Sequence, residues 1–347
     1  MRDKCQIEES EIDVLIPFHK INSELLLSIN SIKGSRGVVP RIIAINDSGI
    51  DILKKDLGMS YDDLLIRCIG KGYLSALKTG ITNSTARFIA FQDSDDISDP
   101  WRLSLQIAVL ETTDCDLVSG ELVRINSFGK KVQASSPFGS LPNDMKPEER
   151  LIFGPHGADS TIVGYARIIK DYWDSHSTFT PTYADYGWLL SVPEAVKMAH
   201  CKNAIYYYRS HSDQMSKNAT DLLQWEKISK LWLRNLNQIS IDRKGEEFPS
   251  TKKLAESPSV SLALAFPASR IELDRQERLL LNQTIDQILK LFEYENERFW
   301  EDVRETLFRR GFIATRGLKA RYWMSGIRMA ISLIRRYSHG IKPRNGK

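Results

Sequence analysis

Four short apolar runs open this 347-residue chain: IDVLIPF (12–18), RIIAIN (41–46), LLIRCI (64–69) and RFIAFQ (87–92). They are rich in β-branched and aromatic residues and too short for helices, the pattern of strands buried on both faces of a parallel sheet. The amphipathic stretches ELLLSINSIK (24–33), IDILKKDL (50–57) and YLSALKTGI (73–81) lie between them. Strand and helix in alternation predict βαβ units, hence an α/β fold with a mostly parallel, Rossmann-like sheet flanked by helices. Ligands of such sheets bind beyond the carboxyl ends of the strands. Two polar segments fall there, Asn46-Asp47-Ser48-Gly49 and Asp93-Ser94-Asp95-Asp96.

The pattern continues with a helix at 100–111, started by Pro100, and a strand at 116–125. A Gly, Ser and Pro-rich loop follows at about 127–147. Then come DSTIVGY (159–165), a helix around 168–173, TYADYGWLLS (182–191) and a strand NAIYYYRSH (203–211). Beyond about residue 221 the text turns to long helical segments, at 222–236, roughly 271–300 and 316–337. The Pro and Ser-punctuated 256–269 reads as a linker. The expected organisation is a main domain over 1–217 and a helical C-terminal region over 218–347.

Hydrophobic content of 42% and charged content of 27% are those of an ordinary globular protein. The net charge of +4 hides an asymmetry. Residues 309–347 hold eleven Lys and Arg and no acid, so the remainder carries 4 − 11 = −7. The four cysteines stand singly, without C-x-x-C spacing, and read as free thiols of a reducing compartment. The N-terminus is too charged for a signal peptide, and no stretch is long and apolar enough to span a bilayer. A cytoplasmic protein is expected, with the inner membrane face as a second location if its tail binds lipid.

The run DSDDISD puts Asp93, Asp95, Asp96 and Asp99 at the end of a buried strand. Asp99 before Pro100 is a helix-start signal, which leaves three acids to explain. An EF-hand counted from Asp93 needs Gly and an acid where Ser98 and Ser104 stand, and fails. The remaining reading is a D-x-D site, where carboxylates hold Mn²⁺ or Mg²⁺ against a diphosphate.

Over residues 12 to about 216 the motifs resemble those of family 2 glycosyltransferases, inverting nucleotide-sugar enzymes of the GT-A fold. The resemblance rests on Ile16-Pro17-Phe18-His19-Lys20, Asn46-Asp47-Ser48-Gly49-Ile50-Asp51, Gly72 with Ala76-Leu77-Lys78-Thr79-Gly80-Ile81, and the strand into Asp93-Ser94-Asp95-Asp96. Ala184-Asp185-Tyr186-Gly187-Trp188 and Tyr208-Arg209-Ser210-His211, with Met215-Ser216, are similar to two later family motifs. Three positions depart from the pattern: Asn46 replaces an Asp, His19 an aromatic that lies against the base, and Ala184 a Glu.

The resemblance implies roles. Pro17, His19, Asp47 and Asp93 fall to the nucleotide, with Lys71, Lys78 and Arg209 as candidates for its phosphates or, alternatively, solvated surface charges. Asp95 is the expected metal ligand with His211 beside it, and Asp96 meets the donor sugar or metal. Asp185 is the expected general base, or an N-cap of a helix at 186–191. Tyr186 and Trp188 are candidates to line the acceptor site, with core packing the alternative for Trp188. The implied reaction moves a sugar from a nucleotide-diphosphate donor to a glycan or lipid-linked saccharide acceptor in cell-surface polysaccharide assembly.

Within 316–337, Arg321, Arg328 and Arg335 share one helix face, and Trp323, Ile327, Ile331 and Ile334 form an apolar stripe. Two placements follow: on an anionic membrane surface, or packed on the core with a solvated basic face. Nucleic acid fits poorly, because no aromatic platform accompanies the charge. A sugar-nucleotide pyrophosphorylase needs a Gly-rich loop after the first strand, and PFHKINSEL has none. A fold-retaining sugar- or nucleotide-binding scaffold without turnover stays open through Asn46 and Ala184.

Overall fold

The computed structural model describes residues 11–132, 149, 152, 159–176, 184–192, 196–211, 222–265 and 273–292. Its frame is the strand β1 (Ile12–Phe18), every residue of which is buried. β1 pairs in parallel with β2 (Arg41–Asn46) on one side and β4 (Phe88–Phe91) on the other, and β2 pairs in parallel with β3 (Leu64–Arg67). Three helices make the crossovers and the next connection: α1 (Ser23–Lys33), α2 (Tyr73–Asn83) and, after the two-residue β5 (Ile97–Ser98), α3 (Arg102–Thr112).

The second half of the sheet is mixed. β6 (Leu117–Asn126) runs antiparallel to β7 (Ile162–Tyr165), which runs antiparallel to β4. β6 is parallel to β8 (Met198–Ser210), whose far edge carries β5 antiparallel. The order is β3-β2-β1-β4-β7-β6-β8-β5. Two further helices, α4 (Ala166–His176) and α5 (Ala184–Ser191), follow β7.

The alternation of side chains along β1 sorts the two cores. Val14 and Ile16 join Leu25, Ile29 and Ile32 of α1 and Leu103 and Leu110 of α3. Leu15 joins Ala76, Leu77 and Ile81 of α2 and continues through Trp173, Trp188 and the C-terminal helices. α2 approaches the sheet closely because Gly80 lacks a side chain; a Cβ there would lie 2.9 Å from Ile45 Cδ1.

Among the described residues, the helical region contains α6 (Leu222–Lys244), α7 (Thr251–Glu256), α8 (Pro258–Ala265) and α9 (Arg275–Leu291). It packs on the sheet domain through shared apolar residues and named bonds. The Trp232 indole N–H donates to the Ile152 carbonyl at 3.0 Å, and the side chains of Arg234 and Asn235 both donate to the Leu190 carbonyl.

Three expectations are corrected. The helix expected at 50–57 is a single 3-10 turn, Lys54–Leu57. The Asn46 amide donates to the Ile50 carbonyl and accepts from Ser48, which bends the chain locally, and Gly58 at φ 65° ends the turn. The linker expected at 256–269 contains α8 instead. Pro258 sits at the first helical position, where its missing N–H costs nothing, and Val260, Ala263 and Leu264 place a helical stripe in the core. β8 starts five residues earlier than the expected strand at 203, because Met198 to Cys201 pair with the start of β6. Most of the loop at 127–147, Met215-Ser216 and the whole basic tail at 309–347 lie outside the described residues.

Asp13 secures the frame from below. Its carboxylate is 0% exposed and takes two bonds from Arg41 at 2.7 Å, one from the Ser84 hydroxyl, and the backbone N–H groups of Thr85 and Ala86. Burial alone would raise its pKa, but the bonds from Arg41, Ser84 and Ala86 together outweigh it and hold the carboxyl below its usual range. Because the folded group ionises at lower pH than the unfolded one, its stabilisation is complete above the unfolded value of about 4 and is lost as pH falls through the folded value. Asp13→Ala strands the Arg41 charge and two backbone donors, so urea unfolding at pH 7 should show a loss of about 3 kcal/mol. That difference should shrink below pH 4.

Candidate active site

Parallel pairing carries the carboxyl ends of β1, β2 and β4 to one rim, and the polar segments singled out above are found there. The Asp47 N–H donates to the Phe18 carbonyl at 2.8 Å, so the loop after β2 is fastened to the end of β1. Gly70 and Gly72, at φ 99° and 87°, let the chain turn sharply on each side of Lys71 before α2. The Gly72 N–H then donates to Asp47 Oδ2 at 2.8 Å, and the Tyr73 hydroxyl donates to Asp93 Oδ1 at 3.3 Å. The start of α2 thus bridges both acidic loops. Pro17 is buried within β1, whereas His19, Lys71 and Lys78 are exposed at or near this rim.

The loop Asp93–Asp96 is held by β8. The Asp93 N–H donates to the Tyr206 hydroxyl at 3.0 Å, the Arg209 Nε–H donates to the Asp95 carbonyl at 2.8 Å, and the Arg209 backbone N–H donates to Asp96 Oδ1 at 2.6 Å. His211 Nε2 lies 2.7 Å from Asp95 Oδ2, and the two side chains keep 28% and 37% exposure, so solvent reaches the pair. Asp95 and His211, 116 positions apart, are the two expected metal ligands, and the fold brings them into contact.

Asp96 behaves differently from its neighbours. It is 1% exposed, and its Oδ2 is buried with no hydrogen-bond partner among the described residues. Burial, followed by the charges of Asp93 and Asp95, pushes its carboxyl well above the usual range, against the pull of the Arg209 N–H. The three acids therefore divide by exposure: Asp93 and Asp95 are half-buried, and Asp96 is buried.

Further residues that order this loop were not among the expected ones. The Arg102 guanidinium is 0% exposed beneath it. It donates to the Phe91 carbonyl at 2.9 Å, Gln92 Oε1 at 3.0 Å and Gln106 Oε1 at 3.1 Å, and lies 4.9 Å over the Tyr206 ring. The Gln92 amide passes the connection on to Ser28 Oγ and the Asp93 carbonyl, and the Ser28 hydroxyl also donates to that carbonyl at 2.8 Å. A signal existed in the sequence: Arg102 and Gln106 stand at i and i+4 among Leu103, Ile107 and Leu110, a polar pair on an apolar helix face.

Asp185 lies in the first turn of α5, which begins at Ala184 rather than at 186, so it is not the residue preceding the helix. Its side chain lies outside the described residues. Tyr186 and Trp188 are fully buried. Trp188 packs with Phe91 and Trp173 at ring separations of 6.4 Å, so neither residue presents a free face to a sugar. Among the described residues, no three His, Cys, Asp or Glu side chains converge as a metal-binding group. Also among them, no helix is long and apolar enough to cross a membrane.

Tyr206→Phe removes the oxygen that accepts the Asp93 N–H within a partly buried loop. Denaturation should register a loss of about 1–2 kcal/mol; an unchanged midpoint would mean that this bond does not hold the loop.

Comparison with known proteins agrees with this architecture. The model of glycosyl transferase family 2 matches residues 13–175. A protein of Rickettsia bellii (strain RML369-C), described as an uncharacterized glycosyltransferase, is 26% identical over 145 residues, which is 41% of this chain and 21% of that protein. This chain thus matches about a fifth of its relative's length. The crystal structure of S. aureus TarS 1–349 superposes with a TM-score of 0.50 at 12% identity over 88% of each chain, a likeness of fold. Over residues 13–175, just under half of its length, this GT-A-type chain is similar to glycosyl transferase family 2.

Proposed function

We propose that the protein is an inverting glycosyltransferase that moves a sugar from a nucleotide-diphosphate donor to a hydroxyl of a glycan or lipid-linked saccharide, in cell-surface polysaccharide assembly. The observation that carries this reading is the convergence of Asp47, Asp93, Asp95 and His211 at one rim within a family 2 domain. Asp47 and Asp93, with Pro17 and His19, take the nucleotide, and Lys71 and Lys78 take its phosphates. Asp96, buried beneath the loop, is left to order the donor side of the site from within.

Asp185 serves as general base. The acceptor oxygen bonds to the anomeric carbon while its proton passes to the Asp185 carboxylate, and the bond from that carbon to the diphosphate oxygen breaks with its electron pair leaving on the nucleotide. One displacement inverts the anomeric centre. Asp185→Asn should lower turnover by about 10²–10⁴-fold with donor affinity retained; turnover within a few fold of the parent would remove Asp185 from the chemistry.

The donor set suits a divalent ion. Asp95 and His211 present one carboxylate and one imidazole to solvent. With no third protein ligand among the described residues, the remaining positions fall to substrate phosphates and water, the usual manner of Mg²⁺ and an available one for Mn²⁺. When bound, the ion supplies neutralisation of the diphosphate charge.

One observation favours the second reading, a binding protein of this fold without turnover. The Asn46 side chain is used within its own turn, on Ser48 and Ile50. Nucleotide-sugar hydrolysis with and without Mn²⁺ separates the two, since only a transferase consumes donor.

The basic tail at 309–347 belongs to the same proposal as a membrane-surface segment that brings the domain to a lipid-linked acceptor. Chain truncated before residue 309 should lose sedimentation with anionic vesicles that the full chain shows. Equal sedimentation of both would place the tail elsewhere.

A further inference from the structure

We propose that Arg102 is a positioning residue for this site, an internal cation that fixes Asp93 from both sides and thereby presents Asp95 to the ion and diphosphate. The inference rests on the function proposed above.

A guanidinium at 0% exposure is costly unless its donors are met and its charge is answered. The donors of Arg102 are met by neutral oxygens, those of Phe91, Gln92 and Gln106. Among the described residues it forms no ion pair by contact. Burial lowers its pKa to about 10, with Tyr206, Asp93 and Asp96 acting in the opposite direction, so it stays protonated near neutrality. For stability alone, an apolar residue of like volume would serve as well or better. The position of Arg102 accounts for its presence more directly.

Its contacts reach, through intermediaries, both backbone polar groups of one residue, Asp93. Through Gln92, Arg102 orders the amide that reaches the Asp93 carbonyl, where Ser28 also donates. Through its face-on contact with Tyr206, it holds the ring whose hydroxyl accepts the Asp93 N–H. Its third bond, to the Phe91 carbonyl, fixes the last residue of β4 before the loop. Asp93 therefore leaves the sheet with its N–H and its carbonyl both clamped, and Asp95 follows two residues later on the same support. A planar fork is needed for this, because Lys cannot reach three acceptors in one plane.

Position and charge make opposite forecasts. If Arg102 acted only as a charge, removing it would strengthen cation binding by the neighbouring acids. If it acts by position, removing it weakens that binding. Full-length parent, Arg102→Met, Arg102→Lys and Gln92→Met are compared by amide hydrogen exchange in the absence of metal, and by the free-ion EPR signal of Mn²⁺ with and without a nucleoside diphosphate. Exchange at residues 93–96 should rise about tenfold or more in all three variants, while residues 42–45 of β2 stay protected. Mn²⁺ binding should weaken about tenfold, with Lys giving no rescue.

Unchanged exchange at 93–96 overturns the proposal. So does Mn²⁺ affinity that stays within twofold of the parent or tightens, or full rescue by Arg102→Lys. If Arg102→Met does not fold, Gln92→Met, which leaves the cation in place and removes its link to Asp93, decides in its stead. Should the parent bind no Mn²⁺, the divalent-ion reading falls, and exchange alone decides the role of Arg102.

Discussion

The structure depends on β1 being buried along its whole length between two parallel neighbours. Parallel pairing fixes direction as well as position, so β1, β2 and β4 must all release their chains at one rim. The polar ends of those strands can then meet without any further device. Asp13 fastens the opposite end, joining β1 to Arg41 of β2 and to the turn that precedes β4. The rim is in register because the base is.

At the rim the problem is charge. Asp93, Asp95 and Asp96 within four positions would repel if all were ionised and desolvated. The fold separates them by environment. Asp95 stays in reach of water beside His211, Asp93 donates its N–H to the Tyr206 hydroxyl and accepts at its carbonyl from Ser28, and Asp96 is buried, its carboxyl held above the usual range. Positive charge approaches from two sides, Arg209 from β8 and Arg102 from beneath. Arg209 bonds to the Asp95 carbonyl and, through its backbone N–H, to Asp96. Asp95 and His211 keep 37% and 28% exposure, so the pair remains open to solvent.

What could be read in advance, and what could not, follows from where the determining contacts lie along the chain. The apolar runs at 12–18, 41–46 and 87–92 declared themselves because burial on both faces leaves their interiors apolar, Asp13 alone excepted. The acids after β4 and Asp47 after β2 were legible for the same reason, as abrupt polar ends to apolar strands. The segment at 50–57 has a helix-like pattern, yet the Asn46 side chain and Gly58 claim it for a turn, and amphipathic spacing does not register that competition. Segment 256–269 misled in the other direction: Pro258 read as punctuation is a helix start when an apolar partner surface is present. Trp188 offered both an acceptor face and a core residue, and the sheet side of α5 took it into the core.

The sequence by itself determined the strand–helix alternation, the polar ends of the strands and the residue types of the site, since these follow from local burial patterns and short motifs. Only the tertiary structure decided which groups meet: His211 with Asp95, Tyr206 with Asp93, and Arg102 beneath them both. The reason is that β8 reaches the acidic loop across more than a hundred residues, and which side chains a register of sheet pairing brings opposite one another is a property of the assembled sheet. Arg102 illustrates the same limit within one helix. Its spacing marks a buried polar pair, but only packing against β4 and β8 shows that the pair faces the site.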